Sequence, residues 1–186
     1  MKKRCPWVKE SNELYMQYHD TEWGVPVHDD RKIFEFLVLE SAQAGLSWET
    51  VLKKRENYRK VFAGFDTTKV SKFRGSDVRK LMKNEGIIRN RAKIESAINN
   101  AKRFLEVKKE FGTFSKYIWG FVGGKTIRNK IRTHKDYKAT SPESDALARD
   151  MKKRGFKFLG STVLYAHMQA TGMVNDHSVD CFKSKK

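Results

Sequence analysis

Apolar positions along this chain recur with helical spacing almost throughout. Ile33, Phe36 and Leu37 lie within one turn of each other, and Ile94, Ile98, Ala101 and Leu105 repeat at three- and four-residue intervals. Capping residues set the expected starts. Ser47, with Glu49 in the turn after it, predicts a helix from Trp48 to about Phe62. Asp66 opens a short helix through Phe73, Ser76 another through Asn84, and Gly86 then supplies the positive φ of a helix end. A longer helix starts near Asn90, and Thr113 opens an aromatic one from Phe114 to Val122. Ser141-Pro142-Glu143 puts proline at the first helical position. That helix ends in Lys152-Lys153-Arg154-Gly155, cations at the negative end of the dipole and then a glycine. Ser161 begins a last helix that Gly172 closes, while Gly123 to Ser141 reads as one long, basic loop. No segment alternates as a strand would and none repeats. The expected class is all-α, one domain over residues 1–186.

Composition narrows the picture. An apolar content of 39% with 12% aromatic residues is too rich for a disordered tail. No stretch approaches the roughly 20 apolar residues that cross a bilayer. The basic start, Lys2-Lys3-Arg4-Cys5-Pro6-Trp7, has no signal-peptide apolar region after it. A soluble, cytoplasmic, monomeric protein with no membrane partner is expected. Thirty-nine lysines and arginines against 22 acids leave a net charge of +17, which points to a polyanionic partner, most often nucleic acid. Surplus charge for solubility is the alternative. The two cysteines, Cys5 and Cys181, are poor disulfide candidates in a reducing cytosol, and are either free thiols or metal ligands. His177-Ser178-Val179-Asp180-Cys181 has the His-x3-Cys spacing by which two ligands share one ion.

Two segments carry candidate chemistry. Glu40 continues the series Ile33, Phe36, Leu37 and so occupies an apolar helix face where a hydrophobe is expected. A carboxylate buried there either pairs with an arginine or belongs to a site. Gln43-Ala44-Gly45-Leu46-Ser47-Trp48 follows it, and Trp7, Tyr15, Tyr18 and Trp23 crowd the N-terminal region. Farther on, Leu81 to Ile94 joins two helices through the turn Gly86-Ile87-Ile88. Its amides can bind a phosphate, with Arg89, Arg91 and Lys93 beside them. Taken alone, it is equally an ordinary αα-hairpin with solvated cations.

The hairpin resembles the helix-hairpin-helix of DNA repair glycosylases, whose turn reads glycine, aliphatic, glycine. Here Ile88 replaces the second glycine. The lysine of bifunctional members falls at Asn90, and no Asp occurs between Asp77 and Asp136 to replace the catalytic one of other members. A glycosylase built this way must cleave a bond that is already weak.

Longer motifs are similar to one family within that group. Tyr18-His19-Asp20, Glu22-Trp23-Gly24-Val25-Pro26, Leu39-Glu40, Gln43 to Trp48, Gly155-Phe156-Lys157-Phe158 and Asn175-Asp176-His177 resemble 3-methyladenine DNA glycosylase I. The resemblance runs from Cys5 to Cys181, is least in the loop around Lys125 to Lys138, and departs at Ala42, where a polar residue is expected. It implies base excision from double-stranded DNA containing alkylated adenine. Glu40 would hydrogen-bond the methylated base and Trp48 would stack on it. Tyr18 would contact it, and Trp7, Tyr15 and Trp23 would line the pocket. Gly45 and Leu46 would enter the gap left in the duplex. The family's zinc positions fall on Cys5, His19, His177 and Cys181, a closed structural site tying the two ends together. His28, His134 and His167 have no such role.

Other classes remain open at this level. A DNA-binding module without catalysis would need neither Glu40 nor a cage of rings. A metal-dependent nuclease would need clustered carboxylates, which the sequence lacks. An RNA-processing role fits the charge alone.

Overall fold

The computed structural model describes residues 2–184. Its regular structure is nearly all helical. The elements are α1 (Glu13–Thr21), α2 (Asp30–Gln43), α3 (Trp48–Val61), α4 (Thr67–Val70), α5 (Gly75–Lys83), α6 (Arg91–Phe111), α7 (Phe114–Gly120), β1 (Ile127–Arg128), α8 (Pro142–Lys153), α9 (Ser161–Ala170) and β2 (Val174–Asn175).

Local chemistry explains most boundaries. The side chains of Asn12, Asp29, Ser47, Asp66, Asn90, Thr113 and Ser141 each accept from an amide in the first turn that follows. Three expected boundaries shift. The helix after Asp66 stops at Val70, because Lys72 and Phe73 donate to Lys69 and Val70 in tight three-residue turns. The next helix starts at Gly75 rather than Ser76, and its N-terminal contact is Asp77, which accepts from the Arg74 amide at 2.8 Å. The helix expected to reach Val122 ends at Gly120.

Two further expectations need correction. A small parallel sheet exists, Ile127 beside Val174 and Arg128 beside Asn175, extended by a bridge from Ile131 to Ser178. Two-residue strands are too short to show alternation. Gly86 has no positive φ. The turn needs glycine for space, since a Cβ would sit 2.2 Å from Asn57 Nδ2.

α2 is the central element, with every residue from Ile33 to Ala42 buried. It packs against α3, α6, α7 and α9. Phe34 meets Phe104 edge-on at 5.4 Å, and Phe104 stacks on Phe114 at 3.9 Å. This burial brings two carboxylates inside. Glu35 accepts from Arg55 at 2.6 Å and from Arg59 at 2.8 Å, and Arg55 also holds Glu22 through both terminal nitrogens. The other carboxylate is Glu40.

Candidate active site and metal centre

Glu40 lies in the last turn of α2, only 4% exposed, and no hydrogen-bond donor among the described residues reaches its carboxylate. The buried arginine near it, Arg55, is committed to Glu22 and Glu35. Burial therefore pushes its carboxyl up to about 8, with the charge of Arg55 pulling the other way.

The chain leaves α2 through an exposed turn. Gly45 stands at φ +80° with open space around it, and Leu46 is 42% exposed. Ser47 then caps α3 and delivers Trp48 inward. Trp48 and Tyr18 meet with ring centres 5.3 Å apart, and the Trp48 indole N–H is buried without an acceptor. Trp7 lies edge-on to Tyr15 at 5.5 Å and to Trp23 at 4.8 Å. These five rings and Glu40 line one cavity of about 290 Å³. All six pocket positions singled out in the sequence thus come together.

The cavity also has walls the sequence did not mark: Gln43, Tyr137, Lys138, Ala166 and Gln169. Gln43 sits inside a motif already noted, and Ala166 and Gln169 share a face of α9. Gln169 donates to buried Asp176 at 2.7 Å, which also accepts from Tyr165 and Asn129. Tyr137 and Lys138 come from the long loop, where nothing in the spacing signals them.

At the hairpin, the amides of Gly86, Ile87 and Ile88 are already taken, by Asn84 Oδ1, Asn84 O and the Tyr58 hydroxyl. Arg89 and Arg91 are exposed and only loosely paired, with Glu85 at 3.4 Å and Glu95 at 3.3 Å. Lys93 instead donates to the carbonyls of Ala42 and Ala44 at 2.9 and 2.6 Å, so its charge is engaged at the exit of α2.

Cys5, His19, His177 and Cys181 form a buried cluster whose ligand atoms all lie within 4.8 Å of one another. Their surroundings fit a metal ion. Asp20 holds His19 Nδ1 at 2.8 Å and Asn175 holds His177 Nδ1 at 2.9 Å, leaving each Nε2 for the centre. His177 Nε2 is buried with no partner. Amides of Ser178 and Lys183 point at the sulfurs of Cys5 and Cys181. Gly24, at φ +74°, makes room for the His177 ring, which a Cβ would approach to 2.5 Å. The cluster backs directly onto the cavity: His19 lies 5.3 Å from the Trp7 ring and His177 4.5 Å from Trp23.

A helical fold built around an aromatic cavity with a buried carboxylate, beside a glycine-turn hairpin, is that of the helix-hairpin-helix DNA glycosylases, and comparison with known proteins narrows the class. The methyladenine glycosylase family matches residues 7–184. DNA-3-methyladenine glycosylase 1 of Escherichia coli strain K12 is 47% identical over 179 residues, 96% of this chain and 95% of that one. A crystal structure of a 3-methyladenine DNA glycosylase I superposes with a TM-score of 0.94 at 48% identity, covering 97% of this chain and 99% of the other. A structure addressing 3-methyladenine recognition by the Staphylococcus aureus enzyme gives 0.93 at 35% identity, covering 98% and 96%. The chain belongs to the methyladenine glycosylase family.

Proposed function

We propose that this protein hydrolyses the N-glycosidic bond of 3-methyladenine in alkylated duplex DNA, leaving an intact abasic site for base excision repair. The observation that carries the reading is Glu40, a buried carboxylate that no hydrogen-bond donor among the described residues reaches, facing a cavity walled by six aromatic rings.

The chemistry follows from the charge of the substrate. Methylation at N3 makes the base cationic in the nucleotide, so it leaves easily. The cost of unstacking it is a few kcal/mol, least for damaged bases. Inside the cavity, each favourable ring face is worth roughly 0.5–2 kcal/mol to a cation. Trp48 stacks on the base and Tyr18, Trp7, Tyr15 and Trp23 enclose it. An incoming cation favours the ionised form of Glu40, which supplies the charge the fold withheld and accepts hydrogen bonds from the base. The base departs with the electron pair of the glycosidic bond and becomes neutral. Water adds to C1′ of the oxocarbenium-like sugar and gives up its proton.

Gly45 and Leu46 fill the gap the base leaves, steadied from behind by Lys93. Because the amides of Gly86, Ile87 and Ile88 are bonded within the hairpin, that turn shapes the contact, and the phosphates fall to Arg89 and Arg91 and to the first amides of α6. Asn90 caps α6 where bifunctional relatives carry an amine, so no covalent adduct with the sugar forms and the strand stays intact. Cys5, His19, His177 and Cys181 would hold a zinc ion, and with four protein ligands and no open position its contribution would be structural.

Free 3-methyladenine tests the pocket without DNA. It should quench tryptophan fluorescence, and Glu40→Gln should weaken that binding about tenfold, a 1.4 kcal/mol effect. Wild-type affinity in the Gln variant would overturn the role of Glu40.

A further inference from the structure

The loop between α7 and α8 carries an unusual charge. Residues 123–140 contain six lysines and arginines and one carboxylate, Asp136. That carboxylate accepts from the amides of Arg132 and Thr133 at 2.8 and 2.7 Å. Lys125, Lys130, Lys135 and Lys138 are exposed and have no ion pair among the described residues, whereas Arg89 and Arg91 of the hairpin each face a glutamate. Like charges crowded on a short loop repel each other, and an external polyanion relieves the repulsion.

The loop is also held in place. β1 pairs with β2, Ile131 bridges to Ser178, and Asn129 donates to Asp176 at 2.7 Å. This frame carries Tyr137 and Lys138 to the wall of the cavity that holds Glu40. A lysine in that position repels a cationic base. The anion that accompanies a flipped base is the phosphate of its own nucleotide.

We propose that Lys138 binds the backbone phosphate beside the flipped nucleotide, and that Lys130 and Lys135 extend the contact along the strand. The loop is then a second DNA-binding edge, separate from the hairpin. This rests on the glycosylase reading of the cavity.

The test compares wild type, Lys138→Ala, Lys138→Arg and the triple variant Lys130→Ala, Lys135→Ala, Lys138→Ala. The probe is a duplex containing a tetrahydrofuran abasic-site analogue, titrated over a range of salt. Each lost phosphate contact lowers the slope of log affinity against log salt by about 0.9. Lys138→Ala should lose about one unit of slope and the triple variant about two to three, with Lys138→Arg close to wild type. Free 3-methyladenine should bind the variants at least as tightly as wild type, because a lysine in the cavity wall gives a cationic base nothing to hold. An unchanged slope in the triple variant would overturn the proposal. So would a Lys138→Ala protein that loses free-base binding as strongly as DNA binding, because the lysine would then shape the pocket itself. A wild-type protein that ignores free 3-methyladenine would sink the reading of the cavity, while the slope would still decide the phosphate contact.

Discussion

Replacing Glu40 by Gln should make the protein more stable, by an amount that depends on pH. The carboxyl titrates near 4.5 when unfolded and is held at about 8 by burial in the folded chain. Between those values the folded state keeps a proton that the unfolded state releases. Stability from this group is fully present below about pH 4.5 and is lost as pH rises toward 8. Glutamine does not titrate, so the variant gains on wild type over the same window. At 1.36 kcal/mol per unit, and allowing for the incomplete slope near 4.5, the gain from about pH 5 to about pH 7 comes to about 2.5 kcal/mol. Urea unfolding of both proteins at those two pH values measures it, and every other titrating group cancels in the difference. A difference that stays constant across the window would mean that Glu40 is already ionised at neutral pH, and the reasoning would fail. The predicted gain is the stability cost of keeping an unpaired carboxylate ready for a cation.

Other tests probe other parts of the structure. His167 is fully buried with neither ring nitrogen paired among the described residues, and burial lowers it to about 3. The folded chain therefore keeps it neutral while the unfolded chain takes up a proton, and stability falls as pH drops from about 6.5 toward 3. His167→Leu should therefore be more stable by about 1–3 kcal/mol near neutrality and flatten the acid limb of stability, as read by thermal unfolding. A less stable variant would refute this. Removing the proposed zinc with a chelator, or by Cys181→Ser, should lower the unfolding temperature and also weaken free-base binding, because Trp7 and Trp23 rest on the His19 and His177 rings. Base binding unchanged in a metal-free, folded protein would separate the two sites.

Much of this was legible in the chain because the signals were local. Caps such as Ser47, Asn90 and Ser141 act within a single turn, and their helices begin where expected. Glu40 stood out because a charge broke an apolar face. Its lack of a partner was not legible, since that depended on Arg55 choosing Glu22 and Glu35. The four residues expected to bind a metal do lie together in one buried cluster, but only the resemblance linked positions 5 and 19 to 177 and 181. Lys93 looked like a phosphate contact from its place beside the turn. Its side chain reaches the carbonyls at the end of α2 instead, a tertiary choice that spacing cannot carry. The same limit hid β1 and β2, whose pairing lies in the fold rather than in any periodicity.

The most direct test of the account is base release. Purified protein is incubated with methylated duplex DNA, and the released bases are separated by chromatography while the strand is followed on a denaturing gel. The account predicts free 3-methyladenine, little 7-methylguanine, and an abasic strand that breaks only on later alkaline treatment. Strand cleavage through a borohydride-trappable adduct, or no release of 3-methyladenine from protein supplied with zinc, would contradict it.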